Sequence, residues 1–588
     1  MSFRSLREFI LYLESVGQLK RVRAEVDPIL EITEISTRAL KQGMPAILFE
    51  RVKGSQYPLV INTLASQRRI ELALGKHPDQ LGEELIRFVE KLLPPAPKAL
   101  VARRSMLRRF LASRSRRVTR ALSQEVVDRP DLDTLPNIQC WPKDGGRFIT
   151  LPQVFTYDPS DGKRNVGMYR MHIFDKSTTG MHWQIQKGGG FHYFQADKMN
   201  KPFELAVALG TDPAMLLATV AALPEGIDET MFAGFLRNKR TDIIRGRTVS
   251  VDVPANAEFV LEGVVHPRER RLEGPFGDHF GHYSEASAFP VFHVSAITHR
   301  NDPIYPATVV GIPPMEDKFL GDTTQQILGP LVKLLHSEVR SLWAYYEAGF
   351  HNLLVVSIEE RYQKEAMKTA LGLMGTEQLS LTKCIITVSE DVDPRNFLQV
   401  LGAVRDNFDP HFDFLMLPKV PLDTLDFTSY TMNLGSKMVL DATRKPKVRS
   451  QTSRRRNLKP ADIKLFDRRI LDARCVENCL LLVKVKDLGK AVVDKLVNRP
   501  ELRAMTLVAA VSEDIDLSNP ESYIWGIFTR FDCERDVIFT NQSLLGIAPV
   551  YGGVMGIDAT WKRGYPETLV MDDEIVQKVD RRWNEYWS

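Results

Sequence analysis

The stretch Glu273-Gly274-Pro275-Phe276-Gly277-Asp278-His279 sets two carboxylates five positions apart on a turn that two glycines and a proline confine to few backbone conformations. A fixed pair of acids is what proton handling requires. About a hundred residues upstream, Asn165-Val166-Gly167-Met168-Tyr169-Arg170 supplies a guanidinium, the natural counter-ion for one of those carboxylates. An acid beside that arginine stays ionised, whereas one facing an apolar cavity has its pKa raised and donates a proton near neutrality. Split roles are therefore expected for Glu273 and Asp278, and the pattern points to an enzyme. The bland reading is that Glu273 caps a strand and Asp278 satisfies a turn. The flanks of the turn set the fold around it: Ala257 to Val265 and Val291 to Ile297 alternate in period two, and glycines cluster from about 130 to 325. These features predict a β-rich central domain.

On either side the chain reads as α/β. Helical patterns over 5–16, 31–42 and 79–93 alternate with apolar strands at 46–49 and 59–61, and a second α/β region starts near 326 with buried strands at 353–358 and 384–388. That second region recurs. Val388-Ser-Glu-Asp-Val-Asp393 returns as Val511-Ser-Glu-Asp-Ile-Asp516 and Phe408-Asp409 as Phe531-Asp532, both at an offset of 123 residues. Leu440-Asp-Ala-Thr443 returns as Ile557-Asp-Ala-Thr560 at an offset of 117, the drift implying a shortened loop. The intervening Arg444 to Pro460 is basic and contains two prolines, as an exposed connector would. The copies differ chemically, because Leu434-Gly-Ser-Lys-Met438 stands against Tyr551-Gly-Gly-Val-Met555; only the first offers a lysine, Lys437, to an anionic ligand.

A length of 588 residues calls for several cores, and a net charge of +4 is too small to imply a nucleic-acid partner. Five cysteines, scattered and odd in number, do not resemble a disulfide framework, so a cytoplasmic location is expected. No signal peptide or membrane span is visible. Arg103 to Arg120 reads as an amphipathic basic helix, either a solvated face or a contact to an anionic membrane surface.

Asn165, His182 and Glu229 combine an amide oxygen, an imidazole and a carboxylate without a thiolate, a set that suits Mg²⁺ or Mn²⁺ better than structural zinc, although no regular spacing joins them. Lys187-Gly188-Gly189-Gly190 is a cationic loop whose backbone N–H groups are able to approach a phosphate; it is neither a Walker nor a Rossmann motif.

Taken together, Asn165-Val-Gly-Met-Tyr-Arg170, Glu229-Thr-Met-Phe-Ala-Gly-Phe-Leu-Arg237, Glu273-Gly-Pro-Phe-Gly-Asp-His279 and Leu434-Gly-Ser-Lys-Met438 resemble the UbiD family of decarboxylases, in order, across residues 1 to about 445. The resemblance implies an α/β multidomain chain: an N-terminal α/β domain with a basic helix over 1–128, a central split β-barrel flavin-binding domain over 129–325, a C-terminal α/β domain over 326–447 and a degenerate second copy over 461–588. It implies prenylated FMN and Mn²⁺ as cofactors, with K⁺ as a further candidate cation. By position, Asn165, His182 and Glu229 match the metal ligands, and Arg170, Glu273 and Asp278 the catalytic trio, with Asp278 supplying the proton that replaces CO₂. Met168, Tyr169, Arg170, His182, Trp183, Gln184, Lys187 and Gly188 fall at cofactor contacts, and Lys437 at the phosphate. Gln186-Lys187-Gly188 departs from the His-Arg-Gly of many relatives, replacing an arginine fork by a point charge.

The implied substrate is an aromatic acid, foremost a 4-hydroxy-3-polyprenylbenzoate of quinone biosynthesis, with a menaquinone-pathway naphthoate or another unsaturated acid as alternatives. A flavin prenyltransferase would supply the cofactor, and relatives suggest a homo-oligomer. A non-catalytic flavin-binding scaffold is the reading of another class; the presence of Arg170, Glu273 and Asp278 together speaks against it.

Overall fold

The computed structural model describes residues 2–90, 113–183, 188–223, 226–445 and 460–588. They fall into two compact units: Met1–Leu328 with Glu567–Ser588, and Gly329–Pro566.

In the first unit, helix Leu6–Ser15 begins where the Ser5 hydroxyl accepts from the Glu8 amide, and it buries Leu6, Phe9, Ile10 and Leu13. The strands predicted at 46–49 and 59–61 form, and with Leu19–Val22 and Tyr305–Pro306 they make a four-stranded sheet. Helix Glu31–Lys41 packs against the C-terminal helix Asp573–Tyr586. Buried Glu31 draws them together, accepting from Arg582 at 2.6 Å, Lys578 at 2.9 Å and the Tyr586 hydroxyl at 2.7 Å. The sequence pattern runs the second C-terminal copy to residue 588, whereas these contacts put Glu567–Ser588 in the first unit.

The predicted β-rich centre is a seven-stranded antiparallel sheet. Six strands lie in the order Thr178–Gly180, Ser287–His299, Phe259–Glu273, Phe203–Leu209, Gln153–Tyr157 and Arg164–Met168, and Val126–Asp128 pairs with Ser287–His299. Among the described residues Thr178–Gly180 and Arg164–Met168 do not pair, so the sheet does not close into a complete barrel. The basic stretch also differs. Arg103 to Phe110 lie outside the described residues, and Arg116–Arg117 is not helical but a short strand beside Asp242–Arg245. There Arg116 meets Asp242 at 2.8 Å and Arg117 meets Asp252 at 2.6 Å, carboxylates that a helical reading did not foresee.

The second unit holds two five-stranded sheets. One runs Val339–Ala344, Leu354–Ile358, Cys384–Ser389, Gly435–Ala442, Phe414–Val420; the other Ile470–Val476, Leu480–Val485, Leu507–Val511, Ala548–Ala559, Val537–Leu545. In both, the two inner pairings are parallel and the two outer ones antiparallel. An ionic network repeats as well. Lys445 reaches Asp413 at 3.0 Å and Asp441 at 3.6 Å, and Lys562 reaches Asp536 at 3.4 Å and Asp558 at 3.6 Å. Thr443 and Thr560 each donate to the aspartate two residues before them at 2.6 Å. The Ser436 hydroxyl donates to Asp532 at 3.0 Å, tying the sheets together. Most of the basic connector, residues 446–459, lies outside the described residues.

Candidate active site

Two strands and a turn of the central sheet bring the acid–arginine set together. Arg170 follows strand Arg164–Met168, Glu273 ends strand Phe259–Glu273, and Asp278 lies just past the short strand Phe276–Gly277. Gly274 carries φ +90°, a conformation that favours glycine and lets the chain reverse immediately after Glu273. The Arg170 guanidinium spans both acids. Its Nε donates to Glu273 Oε1 at 3.0 Å, one terminal nitrogen to Glu273 Oε2 at 3.3 Å and to Ser284 Oγ at 3.0 Å, and the other to Asp278 Oδ2. The Phe276 ring lies 4.7 Å from the guanidinium carbon.

Burial raises the cost of charge on both acids, but the arginine outweighs it. With Arg170 and His182 beside it Glu273 is pulled down to about 2, and with Arg170 and His279 beside it Asp278 is held well below the usual carboxylate range. The split expected between the two is therefore absent in this state: one cation keeps both ionised.

Asp144, which sequence reasoning missed, completes this corner. One of its oxygens accepts from the Gly277 amide at 2.7 Å, and the other from the amides of Cys140 and Trp141 at 3.0 and 2.8 Å. It pins the acid-bearing turn to the Cys140-Trp141 segment. Burial lifts its pKa to about 7 despite those donors and nearby Arg170. No short motif marks it, since its partners are backbone amides and the one that ties it to the acid-bearing turn, Gly277, is distant in sequence.

The candidate metal ligands occupy adjoining elements. Asn165 lies in strand Arg164–Met168, and Glu229 opens helix Glu229–Arg237, which Asp228 caps by accepting from the Thr230 amide. Glu229 accepts from the Val166 amide at 2.8 Å, which places its carboxylate beside Asn165 in the chain. Burial raises the Glu229 pKa to about 8. His182 donates from Nδ1 to Glu273 Oε2 at 3.0 Å, and its amide donates to the Arg170 carbonyl at 3.3 Å. Burial, then Arg170, lowers its pKa, which favours the neutral ring, and its buried Nε2 has no hydrogen-bond partner among the described residues. A neutral imidazole oriented by a carboxylate, a buried carboxylate short of cationic partners and an amide oxygen fit a hard divalent cation.

Beside them, a Cβ on Gly188 would come within 2.0 Å of the Asn165 side-chain amide, so only glycine allows this approach. Gly189 donates its amide to the Tyr169 hydroxyl at 3.1 Å, and burial raises that hydroxyl to about 12. Trp183 stacks on Tyr193 at 4.6 Å and has a buried indole N–H without a partner among the described residues. Met168 closes its strand, half-buried, while Gln184 and Lys187 lie outside the described residues. In the second unit, Lys437 is buried in strand Gly435–Ala442 and donates to the Ser380 carbonyl; burial lowers its pKa to about 8.

Comparison with known proteins gives this arrangement a family. Residues 10–89, 114–313 and 318–442 with 463–559 match the N-terminal, Rift-related and C-terminal domains of 3-octaprenyl-4-hydroxybenzoate carboxy-lyase. The chain belongs to the UbiD family. UbiD members are decarboxylases, and the chain is an enzyme of that class. An Archaeoglobus fulgidus protein is 46% identical over 447 residues, 76% of this chain and 92% of its own length. A Chlamydia pneumoniae protein, named as one subunit of a 4-hydroxybenzoate decarboxylase, is 35% identical over 594 residues, covering 100% of this chain and 99% of its own. Among solved structures, the closed form of the vanillic acid decarboxylase of Sedimentibacter hydroxybenzoicus is 30% identical with a TM-score of 0.70, over 78% of this chain and 96% of that one. The UbiD-class enzyme HmfF of Pelotomaculum thermopropionicum, in complex with FMN, is 28% identical with a TM-score of 0.64, over 78% and 98%.

Proposed function

We propose that this enzyme removes CO₂ from an aromatic acid without net oxidation, using prenylated FMN and Mn²⁺. The observation that carries the reading is the single buried guanidinium of Arg170 shared between Glu273 and Asp278. Its bonds to Glu273, Asp278 and Ser284 engage four of the five N–H groups of an arginine. An incoming substrate carboxylate therefore competes for a guanidinium already in use. Glu273 holds Arg170 through two bonds and is itself held by His182, whereas Asp278 holds Arg170 through one and is itself held by His279. Asp278 is the acid displaced. Charge at Arg170 stays balanced, and Asp278, now buried without its cation, takes up a proton. The arginine thus orients the leaving carboxylate while Asp278 becomes the acid that protonates the ring carbon.

Prenylated FMN, when bound, supplies the electron sink for the charge left as CO₂ departs. Asn165, His182 and Glu229 would hold the metal; Met168, Tyr169, Trp183, Gln184, Lys187 and Gly188 would contact the cofactor, and Lys437 its phosphate. A flavin-binding neighbour and the unpartnered donors at His182 and Trp183 support this assignment. K⁺ stays a further candidate. A flavin prenyltransferase would supply the cofactor.

For the substrate we favour a 4-hydroxybenzoate carrying a 3-polyprenyl group, on the family description. The name of the Chlamydia pneumoniae relative favours the unprenylated acid as a second reading. We read the two sheets of the second unit as copies of one domain, on their shared strand order and repeated ionic network; the family's C-terminal model covers parts of both. The second copy, with Val554 buried in its own core, would serve as a platform or oligomer contact. A cytoplasmic setting is part of this reading, and among the described residues no helix is long and apolar enough to cross a membrane.

Protein co-expressed with a flavin prenyltransferase should carry prenylated FMN by mass and release CO₂ from 4-hydroxybenzoate or its 3-prenyl derivative. Protein that binds no flavin, or that binds it yet leaves every aromatic acid of a broad panel intact, would refute the reading.

A further inference from the structure

Strand Phe259–Glu273 breaks register with strand Ser287–His299 between Val265 and Arg270. Val265 pairs with Phe292 and Arg270 with Pro290, so four residues, His266 to Glu269, stand opposite Val291 alone. The excess chain bulges, with Arg268 in the left-handed region at φ +61° and its amide anchored on Asp197 at 2.8 Å. The bulge turns Glu269 towards His293 on the neighbouring strand, where Oε2 lies 2.8 Å from Nε2. The His266 ring stands edge-on to that of His293, centroids 5.2 Å apart. One ligand atom from each of His266, Glu269 and His293 lies within 4.8 Å of the others.

From this geometry we propose a second metal site, for a divalent transition ion of the zinc and copper class, bound by His266, Glu269 and His293. Two imidazoles and one carboxylate are borderline ligands that suit Zn²⁺, Ni²⁺ or Cu²⁺; the amide-containing set at Asn165 suits a harder ion such as Mn²⁺. Ligand atoms around tetrahedral zinc stand about 3.4 Å apart at bond lengths near 2.1 Å. The three atoms lie within 4.8 Å of one another, at most about 1.4 Å wider than that, within the reach of side-chain rotation in a half-exposed bulge. The ion would replace the proton now shared between Glu269 and His293. His266 is exposed and the other two residues are half-buried, so water would complete the coordination shell. Arg268 and Arg270 flank the site and oppose a cation, but both are exposed and solvent-screened, whereas the ligand bonds are direct. The bulge supplies a reason for three donors to converge that needs no flavin and no substrate.

The test is zinc binding to the full-length protein, chelator-treated and then titrated against a colorimetric zinc indicator. The intact chain should bind one equivalent more than the H266A/H293A variant, and E269Q should hold that equivalent at least tenfold more weakly. Asn165, His182 and Glu229 are unchanged in all three proteins, so the difference isolates the bulge. Equal stoichiometry in the intact and doubly substituted chains would overturn the proposal. The single substitution H266Q, at an exposed position, guards against misfolding of the double variant; unaltered zinc affinity in a folded H266Q would also overturn it.

Discussion

At Arg170 a buried cation is surrounded by acceptors, whereas at Glu229 a buried carboxylate accepts from backbone N–H groups and, among the described residues, has no side-chain cation bonded to it. Burial works against charge in both places. In the first, the arginine overcomes it and the acids stay ionised; in the second, it prevails and the Glu229 pKa rises to about 8. His182 gives Nδ1 to Glu273, while its Nε2 lacks a partner among the described residues. On the proposed reading, the first region is electrically complete and the second is the one suited to a bound cation. Substituting each in turn sharpens the contrast.

The largest effect is expected at Arg170. R170K keeps a charge but cannot bridge Glu273 and Asp278, so kcat/KM should fall by about a thousandfold, with part of the loss reflecting two imperfectly paired buried carboxylates. D278N should lower kcat by about 10²–10⁴ while leaving flavin content unchanged, as expected of a proton donor and not of a cofactor ligand. On the other side, E229Q or chelation should lower Mn²⁺ content and flavin retention at least tenfold, measured by metal analysis and flavin absorbance, without loosening the Arg170 pairs. The smallest effect belongs to D144N. An amide cannot accept all three backbone N–H bonds, so the turn should loosen, with kcat falling about tenfold and KM moving less.

Two acids of the Arg170 corner predict opposite pH signatures. Glu273, depressed to about 2 from 4.5, contributes stability that is whole above about pH 4.5 and lost as pH falls towards 2; E273Q should flatten that acid limb of the unfolding profile. Asp144, raised to about 7 from 3.8, has the reverse sign: its contribution is most favourable below about pH 4 and declines as pH rises to 7, and D144N should remove that decline.

Much of this was legible in the chain because it is local. Period-two runs located the long strands around the turn, the helix stripe at Leu6 to Leu13 located the first helix, and the repeated Ser-Glu-Asp and Asp-Ala-Thr blocks drew attention to two sheets that share one strand order. Pairing of Arg170 with one of the two acids, Glu273 or Asp278, was expected from charge alone. Its simultaneous hold on both was not, because one side chain's reach over two acids depends on where the turn is pinned. Asp144 and the bulge at His266 escaped notice for the same reason: the contacts that give them meaning, the Gly277 amide and His293, lie more than twenty residues away. Arg116 and Arg117 were misread as helix because a basic run carries no sign of the distant Asp242 and Asp252 that claim it.

The central claim is that substrate displaces Asp278 from Arg170 and thereby protonates it. Calorimetry of substrate binding to the prenylated-FMN-loaded enzyme at pH 7, in buffers of differing ionisation enthalpy, counts the protons exchanged. The account predicts uptake of about one proton per site in the intact enzyme and none in D278N. Binding without proton uptake in the intact enzyme, or undiminished uptake in D278N, would contradict it.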